Sequence, residues 1–225
     1  MLEATRNFCY NIDICLCVDK QCANKRVIQS IKEHFCEDIA QSFYRYGKNV
    51  GRIRVKTIFF DDSSQDKGRR LNISPFMIIP AQKDDFDSLL EDLTIDDNIE
   101  KSTNGLEALA CAIQSDWCID GWKRRHVIIM VTDADTYDLH HYDGSESLDN
   151  NPQSFEKLSA MWGNEDIPGL MEFKSKRLVL FTPNSSFWEK IWKSWECVAL
   201  YPSKNGIDRE DLQYYVLMDV ITSNI

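Results

Sequence analysis

Polar side chains with hard oxygen atoms flank the apolar segments of this chain at three places. The residues that carry these oxygens are Asp19, Gln21, Thr103, Asp133 and Asp135. Carboxylate, amide and hydroxyl oxygens are the ligands that Mg²⁺ takes in proteins, usually together with several waters. Carboxylates in such positions also hold the metal of metal-dependent hydrolases and nucleases. The residue types therefore point to divalent-cation chemistry, either in a binding site or in a catalyst.

The apolar segments predict the elements that must position these oxygens. Apolar runs predict strands at 12–18, 52–60, 75–79, 126–132, 177–182 and 197–201. Helical spacings predict helices at 25–46, 84–93, 103–117, 186–195 and 209–221. Because strands and helices alternate, we expect an α/β fold with a mostly parallel central sheet and helices on both faces. Ligands of such sheets bind beyond the carboxyl ends of the strands, so the three polar segments should meet at that edge.

The arrangement of these polar segments resembles a von Willebrand factor A domain. The resemblance rests on a strand that ends at Asp19, on Thr103 at the start of a helix, and on a strand that ends at Thr132-Asp133. It is close over residues 12–132 and looser beyond them. It implies one Rossmann-like, doubly wound domain over residues 1–225, with a divalent metal at the top of the sheet. Asp19, Thr103 and Asp133 match residues that hold this metal in the family.

The chain departs from the family pattern in the loop after the first strand. Gln21 and Ala23 stand where the family has two serines. The resemblance then implies a degenerate metal-ion-dependent adhesion site, in which Asp19, Gln21, Thr103 and Asp133 hold Mg²⁺ or Mn²⁺ weakly or not at all. The alternative is a metal-free scaffold in which Asp19 and Asp133 satisfy helix ends or loop amides.

The resemblance implies a protein-protein interaction module, an adapter or scaffold of a multi-protein system, and not an enzyme. The partner protein is expected at the top of the sheet, at Asp19, Thr103, Asp133 and Asp135. A looser similarity to bacterial intracellular TerY-like proteins implies a stress or defence setting. The alternative is a metal-dependent hydrolase or nuclease that uses Asp19, Asp133 and Asp135. A third interpretation is a structural subunit with a constant, large interface.

Charge and composition limit the partners and the location. With 36 acidic against 26 basic residues and a net charge of −10, the chain is poorly suited to bind nucleic acid by neutralising phosphates. It has no apolar run of the roughly 18 residues that a membrane span needs. The start of the sequence lacks the pattern of a secretory signal, which predicts the cytoplasm and reduced thiols for the eight cysteines.

Two further segments carry notable side chains. Residues 135–174 show little periodicity and predict a long surface insertion with a short helix near 155–162. The pair His140-His141 within it matches no metal motif, which favours a solvated loop over a second metal site. Trp188, Trp192 and Trp195 share one face of the helix predicted at 186–195, which favours packing in the core over a partner surface.

Overall fold

The computed structural model describes residues 9–20, 25–45, 50–60, 71–91, 102–139, 152–202, 215, 218–219 and 223. In chain order its elements are β1 (Tyr10–Asp19), α1 (Lys25–Arg45), β2 (Val50–Phe60), β3 (Leu71–Ile73), β4 (Met77–Ile79), α2 (Lys83–Glu91), β5 (Ser102–Thr103), α3 (Gly105–Ile113), β6 (Lys123–Val131), β7 (Asp135–Thr136), α4 (Phe155–Trp162), β8 (Lys176–Phe181), α5 (Ser186–Ser194) and β9 (Val198–Leu200). Most of the helix predicted at 209–221 lies outside these described residues, as do Gln21, His140 and His141.

The central sheet is mostly parallel, as predicted. Its strand order is β3-β2-β1-β6-β8-β9, and β4 also pairs with β2. The strands β1, β2, β6, β8 and β9 run parallel to one another, whereas β3 and β4 are antiparallel to β2. A separate two-stranded sheet joins β5 to β7. The two innermost strands, β1 and β6, are therefore the ones whose carboxyl ends lie at the centre of the top edge.

Helices cover both faces of this sheet, which confirms the predicted α/β architecture. In β1, Ile12 and Leu16 face the core beneath α1 and α2, whereas Cys15 and Cys17 face the core beneath α3, α4 and α5. Alternate residues of a strand point to opposite faces, so an unbroken apolar run is what a strand buried on both sides requires. The nearly continuous apolar sequences of β1 and β6 thus explain their central positions.

Most of the described cysteines are buried thiols. The seven in the described part of the chain are free, and Cys22 lies outside it. Burial raises the pKa of both Cys36 and Cys111 to about 12. Because the thiolate is the nucleophile, these buried thiols are unreactive near neutral pH. None of the described helices has the length and apolarity needed to cross a membrane.

The helix predicted at 103–117 is shorter than expected at both ends. Thr103 belongs instead to β5, where it pairs with Thr136, and the helix begins at Gly105. At its other end the helix stops at Ile113, and the indole of Trp117 donates to the carbonyl oxygen of Ala112 at 3.0 Å. The first difference arises from pairing with a distant segment and the second from a turn after the helix. The spacing of apolar residues predicts neither contact.

The segment predicted as a surface insertion, 135–174, is described at 135–139 and 152–174, and its second part contributes both buried and exposed residues. The helix at Phe155–Trp162 is present, and its Phe155, Leu158 and Trp162 are buried together with Met171. After the helix the chain turns back closely at Gly169. A Cβ atom at this position would lie 2.3 Å from the carbonyl oxygen of Met161, so the close approach requires glycine. The segment lacks a long periodic pattern because this short helix and turn supply the buried residues.

The tryptophans of α5 divide between core and surface. Trp188 and Trp195 are buried, which confirms the core interpretation for these two side chains. Trp192 is 46% exposed and lies outside the core. One helix face therefore supplies both a core anchor and an exposed aromatic side chain.

Candidate functional site at the carboxyl edge of the sheet

Asp19, the last residue of β1, is buried and hydrogen-bonded across the top of the sheet. The register that pairs Val18 with Val131 brings the residues after them side by side. Thr132 Oγ1 donates to Asp19 Oδ2 at 2.6 Å. The same hydroxyl oxygen accepts from the backbone N–H of Ala134 at 3.1 Å, so it also shapes the turn after β6. The Asp19 carboxylate is thus held by protein atoms at the centre of the edge.

Thr103 is brought to the same edge by the small β5-β7 sheet. Its side chain is buried, and its Oγ1 lies 3.5 Å from the carbonyl oxygen of Asp135. Thr136 Oγ1 donates to the carbonyl oxygen of Thr103 at 3.1 Å. It also accepts from the backbone N–H of Leu106 at 3.0 Å. Residues 132–136 therefore contact both the end of β1 and the start of α3.

Thr136 is a site residue that sequence reasoning missed. Asn104, the N-cap residue of α3, makes no capping hydrogen bond through its side chain. The first N–H groups of a helix need acceptors from outside the helix, and Thr136 supplies one. The sequence carries no signal for this role, because Asn104 is itself a residue type favoured at an N-cap.

The two aspartates after β6 differ in their surroundings. Asp133 is partly exposed at the edge. Asp135 Oδ1 accepts from the backbone N–H of Thr136 at 2.8 Å and from Ser185 Oγ at 2.7 Å. Since Ser185 is the N-cap residue of α5, the Asp135 carboxylate links β7 to the start of that helix. Both side chains are partly exposed, so both positions present carboxylate oxygens at the edge.

Trp188 packs beneath these loops and supports them. Its indole Nε1 lies 3.3 Å from the carbonyl oxygen of Ala134, to which it donates. A Cβ atom at Gly105 would lie 2.7 Å from Trp188 Cζ2, closer than real Cβ contacts come. The start of α3 can therefore approach this indole only with glycine at position 105. The sequence indicated the aromatic face of α5 but not its contact with the site.

The donors at this edge suit a hard cation that keeps much of its water. Asp19, Thr103 and Asp133 offer carboxylate and hydroxyl oxygens, and Gln21 lies outside the described residues. The described residues contain no group of three or more His, Cys, Asp or Glu side chains that could hold a metal ion. Mg²⁺ prefers about six oxygens and often uses only one or two carboxylates. The oxygen types of Asp19, Thr103 and Asp133, the ligands that the resemblance implies, would therefore suit a weakly held, largely hydrated Mg²⁺ or Mn²⁺.

Comparisons with known proteins show the fold. No protein-family model matches the sequence, and no curated protein matches it. Proximal thread matrix protein 1 from the mussel byssus, in a second crystal form, is 13% identical with a TM-score of 0.50, over 97% of this chain and 49% of that chain. The pilus adhesin SpaC from Lactobacillus rhamnosus GG is 11% identical with a TM-score of 0.50, over 96% of this chain and 31% of that chain.

A further structure of the mussel protein is described as having a zinc-occupied MIDAS motif. It is 14% identical with a TM-score of 0.49, over 96% of this chain and 48% of that chain. This chain thus spans less than half the length of each of these proteins. The matches at a TM-score of 0.50 show that it has a von Willebrand factor A-like fold.

Proposed function

We propose that this chain is a protein-protein interaction module, an adapter or scaffold that binds a partner protein at the top of the sheet with weak or absent metal dependence. One observation carries the proposal: the Asp19 carboxylate is buried and already hydrogen-bonded to Thr132. A buried charge needs such a partner. Because protein atoms supply it, the edge keeps its shape without an ion.

The four residues proposed for partner binding have different roles in this account. Asp19 and Thr103 are buried and position the loops, and Asp135 fixes β7 to the start of α5. Asp133, which is partly exposed, makes the direct contact with the partner. Preorganised loops reduce the ordering cost of binding, so a rigid edge favours association.

The structural neighbours are compatible with this role. By their descriptions, one is a matrix protein of the mussel byssus and the other a pilus adhesin. The finer parts of the proposal are a place among TerY-like proteins, a stress or defence setting and a cytoplasmic location. The first two of these rest on the resemblance in the sequence.

The alternative of a metal-dependent hydrolase or nuclease remains a prediction with less support from the geometry. It requires Asp19, Asp133 and Asp135 to act on a metal together. Asp19 Oδ2 and Asp135 Oδ1 instead accept hydrogen bonds from Thr132 and Ser185. The binding role requires only that these two carboxylates hold the loops.

The proposal is tested by capture of a partner from a lysate of cells that express the protein. The tagged parent chain, Asp133→Ala and the control Asp85→Ala are compared, with bound proteins identified by mass spectrometry. Asp85 is an exposed carboxylate on α2, so its removal matches the charge change away from the edge. We expect a stoichiometric partner that Asp133→Ala loses and Asp85→Ala retains. Retention by Asp133→Ala, or no partner with any chain, would contradict the proposal.

A further inference from the structure

The lower end of the sheet, where β6 and β8 begin, carries three cationic side chains on one face. Lys123 and Arg125 belong to β6, and Arg177 belongs to β8. Val127 and Val179, two residues further along these strands, lie in the core beneath α1 and α2. Alternate residues of a strand share a face, so the three cations lie on the same side as that core. Because Arg177 pairs with Val127, Arg125 and Arg177 are diagonal neighbours on adjacent strands.

Tyr10 brings two of these cations together. It is the first residue of β1 and pairs with Lys123. Lys123 Nζ lies 5.1 Å from the centroid of the Tyr10 ring, and Arg125 Cζ lies 5.5 Å from it. An aromatic ring attracts cations at these distances but does not neutralise their charge. Tyr10, Lys123, Arg125 and Arg177 together form what we call the basic face.

Both guanidinium groups of the basic face keep donors open to solvent. Arg125 Nη1 donates to the carbonyl oxygens of Arg124 and Lys174 at 3.1 Å and 3.3 Å. Arg125 Nη2 makes no hydrogen bond within the described part of the chain and, unlike Arg125 Nε, it is not enclosed by the protein. Arg177 Nη1 donates to the carbonyl oxygen of Lys176 at 2.6 Å, and Arg177 Nη2 is open in the same way. An anion in solvent can therefore reach a donor on each guanidinium group.

The charges of the basic face are not balanced by carboxylates. Among the residues that the structure describes, Lys123, Arg125 and Arg177 form no ion pair. Arg124, which lies on the opposite face of β6, is instead paired with Glu172. The whole chain has a net charge of −10, so three unpaired cations on one face are a local exception. Complementary charge across an interface favours association, so the basic face suits an anionic partner.

The residue types favour a protein as this partner. Trp122, which precedes Lys123, is 86% exposed, and tryptophan, tyrosine and arginine carry much of the binding energy in protein interfaces. A long nucleic acid is disfavoured by the net charge of the chain. A flat anionic membrane would also approach Asp116 and Asp120, which are exposed in the turn before β6. A narrow acidic segment contacts the cations without meeting these carboxylates.

We propose that the basic face binds an acidic segment of a partner protein. Aspartate or glutamate carboxylates of the segment accept hydrogen bonds from Nη2 of Arg125, from Nη2 of Arg177 and from the Lys123 ammonium group. An apolar side chain beside them covers Trp122. The basic face lies at the other end of β6 from Asp133, so this site goes beyond the interaction proposed at the top of the sheet and does not depend on it. With both sites, the chain joins two proteins through opposite ends of one sheet.

The proposal is tested by calorimetric titration of the parent chain with a peptide of six glutamates and with a peptide of six glutamines. We expect saturable binding of the glutamate peptide in about 50 mM salt, weakening as the salt concentration rises. The glutamine peptide should bind at least about tenfold more weakly. Equal affinities of the two peptides, or no binding of the glutamate peptide, would overturn the site. Tighter binding of a six-nucleotide oligothymidylate or of phosphatidylserine vesicles would overturn the choice of a protein segment.

Variants test which cations form the site. Arg125→Gln should weaken the glutamate peptide about tenfold. Lys123→Gln should weaken it about threefold and, because this side chain is exposed, tests the site even if Arg125→Gln fails to fold. Lys190→Gln is the matched control, since Lys190 is also exposed, with its Nζ 3.8 Å from the centroid of the Phe155 ring on α4. Equal weakening by Lys123→Gln and Lys190→Gln would show a general charge effect and overturn the site.

The variant Asp133→Ala separates this proposal from the one for the top of the sheet. It should bind the glutamate peptide as tightly as the parent chain, within about twofold. A loss of peptide binding in Asp133→Ala would contradict a separate site at the basic face.

Discussion

Thr132 Oγ1 donates a hydrogen bond of 2.6 Å to Asp19 Oδ2, and this bond joins the carboxyl ends of β1 and β6. Both side chains are buried. The bond gives the Asp19 carboxylate a protein partner at the position where the resemblance implies a metal ligand. It is the physical reason for expecting an edge that stays folded and binds without a metal.

Removal of the Thr132 hydroxyl should destabilise the protein. In Thr132→Val the Asp19 carboxylate stays buried and loses this donor, so we expect a loss of about 2 to 3 kcal/mol in the free energy of unfolding. Urea unfolding followed by circular dichroism measures this loss. Thr132→Ser keeps a hydroxyl and is the control, with a smaller loss. Equal stabilities of Thr132→Val and the parent chain would show that the bond does not hold the edge.

Gly105→Ala separates close packing from helix propensity. Alanine favours a helix over glycine by about 1 kcal/mol, so propensity alone predicts stabilisation. The new Cβ atom would lie 2.7 Å from Trp188 Cζ2, so we expect a loss of about 1 to 3 kcal/mol instead. Gly51→Ala in β2 is a comparison with a less severe contact, because its Cβ atom would lie 3.1 Å from Cys9 Cβ, so we expect a smaller loss there. Thermal unfolding compares the two variants, and a stabilised Gly105→Ala would contradict the packing described at the site.

Protonation of His126 should make stability depend on pH. Burial lowers the pKa of this ring, although the carboxylates of Asp13 and Glu172 raise it, and Arg124 lowers it further. Below the unfolded-state pKa of about 6.5, the unfolded chain binds a proton that the native chain does not. The free energy of unfolding therefore decreases as the pH is lowered, until the native pKa is reached. The slope is at most about 1.4 kcal/mol per pH unit.

Unfolding measured from pH 7.5 down to pH 5.5 checks this sign. The free energy of unfolding of the parent chain should decrease across the range, and His126→Gln should show a smaller decrease whatever its stability at pH 7.5. Identical slopes for the two chains would mean that His126 does not remain neutral in the fold.

Asp13 and Arg54 form an ion pair at the lower part of the sheet, and its loss should be costly. Arg54 Nε donates to Asp13 Oδ1 at 2.8 Å, and Arg54 Nη2 donates to Asp13 Oδ2 at 2.6 Å. Asp13 is buried and also accepts from the backbone N–H of Cys118 at 2.6 Å. We expect Asp13→Ala to lose about 3 to 5 kcal/mol, because it leaves a largely buried guanidinium without its partner.

A double-mutant cycle of Asp13→Leu and Arg54→Met, each made singly and together, measures the coupling within this pair. The double variant Asp13→Leu with Arg54→Met should recover part of the loss, since an apolar pair can replace a buried ion pair. Additive effects of the two substitutions in urea unfolding would contradict a coupled pair.

The large elements could be predicted from the sequence because each has its own pattern. The apolar runs of β1 and β6 and the helical spacing of α1 are visible in the sequence, whatever segments pack against them in the fold. The two-residue strands β5 and β7 exist only through their mutual pairing, in which Thr103 opposes Thr136, and so no local pattern marks them. The ion pair of Asp13 could not be predicted either, because the register of β1 and β2 places its partner Arg54 opposite it and no local pattern shows that register.

The candidate site was predictable in part for a similar reason. Asp19, Thr103 and Asp133 follow or begin elements and can be placed at the edge by topology alone. The bond from Thr132 and the cap from Thr136 depend on loop geometry, which the sequence does not specify. A cavity of about 200 Å³ is lined by Asp116, His126 and Leu170, and the proximity of these residues arises only when the turn after α3 and the segment before β8 pack beside β6.

The central claim is tested most directly by the affinity of the purified chain for its captured partner, measured by calorimetry in Mg²⁺ and again in EDTA. Because the Asp19 carboxylate is held by Thr132, the account predicts dissociation constants that agree within about twofold in the two buffers. A loss of about a hundredfold or more in EDTA, restored by Mg²⁺, would show that a bound ion forms the contact and would contradict the account.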